Sequence, residues 1–170
     1  SMTDSTSLQP LLQGINKADF NIENMDDELR VDTSCVDLLR RLYQHLTNQS
    51  SMAPEQAGQR CHGADYFLRE FIIADRGINI FAVEASHIRQ FAGHWYIVRT
   101  PEPNLTELKS ILSGTAEFYR FLAGQGLVSE ATTGDITVQC QHLDYYQQRI
   151  DDFWAIEGDG YDAWRQACPL

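Results

Sequence analysis

The stretch Asn104-Leu105-Thr106-Glu107-Leu108-Lys109-Ser110-Ile111-Leu112-Ser113-Gly114-Thr115-Ala116-Glu117-Phe118-Tyr119-Arg120-Phe121-Leu122 decides the fold class of this chain. Asn104 is a residue type that caps helices, and Glu107 stands three positions later, the spacing of a capping box. Leu105, Leu108, Ile111, Leu112, Thr115, Phe118, Tyr119 and Leu122 then recur every three or four residues. That period places them on one face of a helix, and a strand would need alternation instead. Gly124 or Gly126 ends the helix. Gly114, in its middle, is read as a close packing contact with a neighbouring helix.

Upstream, Pro101 and Pro103 end a preceding helix near Thr100, because proline cannot continue the hydrogen-bond ladder. Ile88, Phe91, Ala92, Trp95 and Val98 form the stripe of that helix, and Tyr96 and Ile97 widen it enough to bury more than one side. Ile78 to Val83 is a short apolar connector. Before it, Pro54 suits a first helical position, and Ala57, Cys61, Ala64, Leu68, Phe71 and Ile72 run to Gly77, which supplies a left-handed ending. Small residues in the first half of this helix permit close approach of another element. Asp32 or Thr33 is placed to cap an earlier helix carrying Val36, Leu39, Leu42, Tyr43 and Leu46, with Thr47 to Ala53 as connector.

Downstream, Ser129 to Asp135 reads as a turn containing Gly and Thr. Ile136, Cys140, Leu143, Tyr146, Ile150, Phe153 and Trp154 then mark a fifth, longer helix closed by Gly158 and Gly160. Tyr161 to Cys168 add one or two turns, with Trp164 packing back. The expectation is an all-α, compact bundle of about five to six helices over residues 32–170. Residues 1–31, with Asp26, Asp27 and Glu28, read as a loosely held acidic arm in which Leu8, Leu11, Leu12 and Ile15 have the spacing of a short docked turn.

The 170 residues are 43% hydrophobic and 11% aromatic, enough apolar area for one continuous core. A net charge of −11 disfavours adhesion to phosphate backbones or anionic lipid. The charge is uneven. Residues 60–128 hold seven basic and seven acidic residues and are formally neutral, while the flanks carry −5 before residue 60 and −6 after residue 128.

Within 60–128 the order of signals carries a resemblance. Tyr66-Phe67-Leu68-Arg69-Glu70-Phe71-Ile72 leads to Ile88-Arg89-Gln90-Phe91, then Pro103 and Asn104, then Phe118-Tyr119-Arg120-Phe121-Leu122 and Gly126-Leu127-Val128. This segment resembles the N-terminal core-binding domain of tyrosine recombinases and phage integrases, a small helical domain that clamps DNA. The resemblance implies a central four-helix part and, through Arg89, Arg99 and Lys109, contact with nucleic acid. The family's catalytic domain has no counterpart here: none of His45, His62, His87, His94 or His142 has Arg at the third position after it.

Other chemistry ranks low. Cys61-His62 and Cys140-Gln141-His142 offer metal-ligand types, but neighbours on a helix diverge by ~100°, and Cys61 and Cys140 lie on apolar stripes, where core thiols are expected. The rings of His94-Trp95-Tyr96 and Tyr145-Tyr146 fit packing, Asp151-Asp152 a solvated face, and Asp159 with Asp162 capping. No catalytic residue, metal ligand or cofactor is therefore assigned. No apolar run approaches a membrane span and no leader is visible, so a cytoplasmic protein is expected. The leading function is a non-catalytic module that binds a protein partner or itself; the alternative is a recombinase-derived DNA-binding accessory domain.

Overall fold

The computed structural model describes residues 12–170. Among them there are seven helices and no strand, one more helix than the upper expectation. α1 spans Met25–Asn48. α2 spans Pro54–Asp65 and continues in a wider, π-type winding over Tyr66–Arg76. α3 comprises Ala85–Gln90, a wide turn Phe91–Trp95, and Tyr96–Arg99. α4 spans Leu105–Gly124, α5 Glu130–Cys140, α6 Leu143–Trp154 and α7 Tyr161–Ala167.

α1 begins seven residues before the expected Asp32. Asn24 is the cap, its Oδ1 accepting the Asp27 amide N–H at 2.8 Å, and Asp26, Asp27 and Glu28 occupy the first turn. Negative side chains there oppose the positive end of the helix dipole. The acidic cluster of the expected arm is thus a helix start, and it goes unnoticed in the sequence because Val31 is the first buried residue behind it. Asp32 lies inside α1 and forks onto Arg69 of α2 at 2.8 and 3.0 Å, while Asp65 takes the same guanidinium at 3.0 Å. The buried stripe runs Val31, Cys35, Leu38, Leu39, Leu42, Leu46, which leaves Val36 half-buried and Tyr43 on the surface. Ahead of α1, Leu12 and Phe20 are buried; Leu8 and Leu11 lie outside the described residues.

α2 and α4 cross backbone against backbone. A β-carbon on Gly114 would sit 2.1 Å from the Arg60 carbonyl oxygen, and one on Gly63 would sit 2.7 Å from that of Ser110. The small-residue reading of α2 and the packing role of Gly114 are both found. Asn104 caps α4 by accepting the Glu107 N–H at 2.8 Å, but Glu107 does not reach back directly. Tyr96 stands between: the Asn104 N–H donates to its hydroxyl, which donates to Glu107 Oε1 at 2.6 Å.

α3 is the central rod, with every residue from Phe91 to Ile97 buried. Phe91 meets Phe67 and Phe71 of α2 with ring centroids 5.1 and 5.4 Å apart, and Trp95 meets Phe71 at 5.2 Å. The expected core residues Phe71, Trp95, Ile111 and Phe118 are all buried, whereas Val98 is 42% exposed. The expected turn at Ser129 to Asp135 is instead the start of α5, with the Ser129 hydroxyl capping Thr132 at 3.1 Å. The single long helix expected from Ile136 is broken at Gln141 and His142, so Cys140 ends α5 and Leu143 opens α6.

Candidate functional site

The carboxyl-terminal segment of the described chain is locked against the wide turn of α3. Gly93 lies in this wide turn, and its carbonyl oxygen accepts Nε–H of Arg149 at 2.9 Å. Arg149, on α6, is only 4% exposed and has no carboxylate beside it among the described residues. Its guanidinium lies 3.9 Å from the Trp164 ring centroid, a cation–π contact, and the Trp164 indole N–H donates to Arg149 O at 2.9 Å. His94 Nδ1–H donates to Cys168 O at 2.7 Å. A β-carbon on Gly93 would come 2.9 Å from Cys168 Sγ, so a glycine lets this segment seat.

That docking creates a cavity of about 390 Å³. One wall is built by Trp95, Val98 and Arg99 of α3 with Asp75 and His94; the other by Tyr161, Arg165, Gln166, Pro169 and Leu170. The apolar groups are not fully covered: Val98 is 42%, Tyr161 40% and Leu170 47% exposed. Arg99 donates to Asp75 at 3.1 Å and stacks 5.0 Å over Trp95; Arg165 donates to Asp162 at 3.2 Å. Each guanidinium carries five N–H donors, so one carboxylate contact leaves capacity for an incoming acceptor. Burial holds the His94 pKa below its ordinary value, Arg149 and Arg165 add to the effect, and the Cys168 carbonyl opposes it. Neutral His94 is a structural donor here. The arrangement can seat an apolar group that carries a negatively charged end.

The three cations nominated from sequence are not brought to one cavity. Arg99 lines the cavity just described. Arg89 donates to Tyr145 Oη at 3.2 Å and lies 4.8 Å over that ring, which raises its already high pKa. Lys109 is exposed on α4 in a separate recess shared with Gln56, Gln59 and Arg60. Sequence reading missed His94 and Arg149 as the clamp. Arg149 sits between Tyr146 and Ile150, and nothing in a helical period distinguishes a buried arginine there from a boundary one.

The thiols are unpaired and set in apolar surroundings. Burial pushes Cys35 and Cys140 up to about 12 and Cys61 up to about 11, which disfavours the reactive thiolate. Among the described residues no three His, Cys, Asp or Glu side chains group as a metal site, and no helix is long and apolar enough to cross a membrane. No family model, no curated protein and no solved structure matches the chain.

Proposed function

We propose that this chain is a non-catalytic protein-interaction module, and that the cavity between α3 and α7 takes a partner segment with an apolar side chain next to a carboxylate. The observation that carries the reading is the union of exposed Val98, Tyr161 and Leu170 with the guanidinium groups of Arg99 and Arg165 around one concavity. Apolar centres rimmed by arginine are the composition of binding surfaces. An acidic partner segment suits the two guanidinium groups, while the net charge of −11 keeps copies of the chain apart in solution. A cytoplasmic setting goes with this reading and is supported by the four unpaired thiols. The likeness of residues 60–128 to an integrase core-binding domain stays within the proposal, resting on the order of α2, α3 and α4.

The test is a peptide display selection against the intact protein, followed by anisotropy titration of the enriched sequences. Acidic peptides bearing a large apolar residue are expected to emerge, and to lose at least about tenfold in affinity with Val98→Asp or Arg165→Gln. Enrichment of basic peptides, or affinity untouched by both substitutions, overturns the proposal. Light scattering across concentration tests self-association as the competing occupant.

A further inference from the structure

A second concavity lies away from the first. Two recesses, of about 240 and 210 Å³, adjoin where α2, α4 and α5 meet, and both include Arg60 and Ser113 in their walls. The first also holds Lys109, Thr106 and Ser110; the second holds Arg120 and Thr137. Neither is lined by any Asp or Glu. In a chain with 24 acids against 13 bases, three cations around one groove with no carboxylate in its lining is a concentration that solubility does not require.

The placement follows from helix geometry. Thr106, Lys109, Ser110 and Ser113 are spaced by three and four residues, so α4 turns one polar ridge outward beside the Gly63 and Gly114 crossing. Gln59 and Arg60 of α2 face that ridge. Arg60 has no ion pair among the described residues, and its Nε is buried without an acceptor. Lys109 likewise has no carboxylate partner among them. Arg120 is tied to Glu117 at 3.3 Å, and Glu117 is outside the lining of both recesses. Gln56 and Thr106 stand in the first turns of α2 and α4, where free amides give the helix end its partial positive charge.

We propose that this groove binds a small phosphate ester, with the phosphoryl group at the partition formed by Arg60 and Ser113 and reached by Lys109 and Arg120. Cations give the charge, while serine and threonine hydroxyls with glutamine amides provide directional donors to phosphoryl oxygens. A small ligand fits better than a nucleic acid. Duplex binding needs cations in a row along the surface, and Arg89 and Arg99 lie outside this groove and do not continue its cations.

Calorimetric titration of the intact protein with inorganic phosphate, pyrophosphate and a short DNA duplex tests the proposal. Saturable pyrophosphate binding is expected, weakened about tenfold by Lys109→Gln and again by Arg120→Gln, and unaffected by Arg40→Gln on the far side of α1. Lys109 and Arg120 are exposed, so both variants keep the fold, and unchanged thermal midpoints check that. No saturable heat with phosphate or pyrophosphate overturns the site, as does binding that both variants leave intact. Duplex binding tighter than that of pyrophosphate and weakened by the same two variants overturns it in favour of nucleic acid.

Discussion

Gly114→Ala is the substitution that isolates the central packing claim. The new methyl would lie 2.1 Å from Arg60 O, 3.0 Å from Arg60 C and 2.9 Å from the Ala64 nitrogen. All three are backbone atoms, so no rotamer change relieves the overlap. Ordinary contact is restored only if α2 and α4 separate by roughly 1 Å, and a gap of that size forfeits a quarter to a half of the dispersion energy along the seam. Overpacking in a filled core costs about 1–3 kcal/mol, and a collision of backbone with backbone lies at or above the upper end. Against it stands the preference of a helix interior for alanine over glycine, about 1 kcal/mol. The net expectation is a loss of about 2–3 kcal/mol, or a fall in Tm of about 5–10 °C for a chain of this length.

The comparison that makes the number interpretable is Gly58→Ala. Gly58 lies inside α2, yet a β-carbon there meets nothing within 4 Å. That variant keeps the propensity gain without the collision, so it should stabilise by up to ~1 kcal/mol. Urea unfolding followed by far-ultraviolet circular dichroism measures both. A Gly114→Ala protein as stable as the parent, or the two variants shifting in the same direction, would refute the claim that α2 and α4 touch through their main chains.

Trp164→Ala should cost about 3–4 kcal/mol, since it removes a ring buried among His94, Phe153 and Arg149, and hydrogen exchange should report residues 161–168 released before global unfolding. Tyr96→Phe removes the hydroxyl that links the Asn104 N–H to the Glu107 carboxylate, so a loss of about 1 kcal/mol in urea unfolding is expected, and an unchanged midpoint would count against the relay. Asp32→Asn should cost no more than about 1 kcal/mol by the same assay, because the Arg69 fork it weakens is about one third exposed. Burial lowers the pKa of both His94 and His87 below the ordinary 6.5, so between those folded values and 6.5 the unfolded chain holds more protons. Stability is therefore full above pH 6.5, declines as pH falls through it, and levels off below the folded values. Resonance titration of the imidazoles checks this, and a His94 midpoint at or above 6.5 contradicts it.

What was legible in the sequence was periodicity, and its failures share a cause. The stripes of α2 and α4 are readable because each presents an apolar face to the core, α3 is readable because it is apolar on more than one side, and proline or glycine marks ends of all three. The first half of α5 escaped notice because Thr133 is its one buried residue before Ile136, and a stretch holding threonine and glycine looks like a turn when only hydrophobicity is counted. The start of α1 escaped for the complementary reason: it is held by a cap and by charge on a helix dipole, neither of which has a period. Site residues were least legible of all. Lys109 and Arg99 were named for their charge, and each lines a concavity, but which one depends on how α2, α5 and α7 dock around them. His94 reads as a packing residue and Arg149 has the type of a surface residue, yet both bind the terminal segment.

A buried arginine with no carboxylate is costly unless its surroundings replace what water supplied. Here the replacement is specific and partial: the face of Trp164 takes the charge and Gly93 O takes the Nε–H, while Nη2 is buried without an acceptor. Trp164 reaches Arg149 only when α7 is seated, and Gly93 lies in the wide turn of α3. Arg149→Met, which keeps the bulk and removes the charge, should leave the fold intact while loosening the orientation of α7. If so, Val98 and Leu170 would no longer face each other across a fixed gap, and peptide affinity at that cavity should fall while pyrophosphate binding at the α2–α4 groove stays unchanged. Equal loss at both places would mean that the substitution disturbs the bundle as a whole, and the clamp would not be what shapes the cavity.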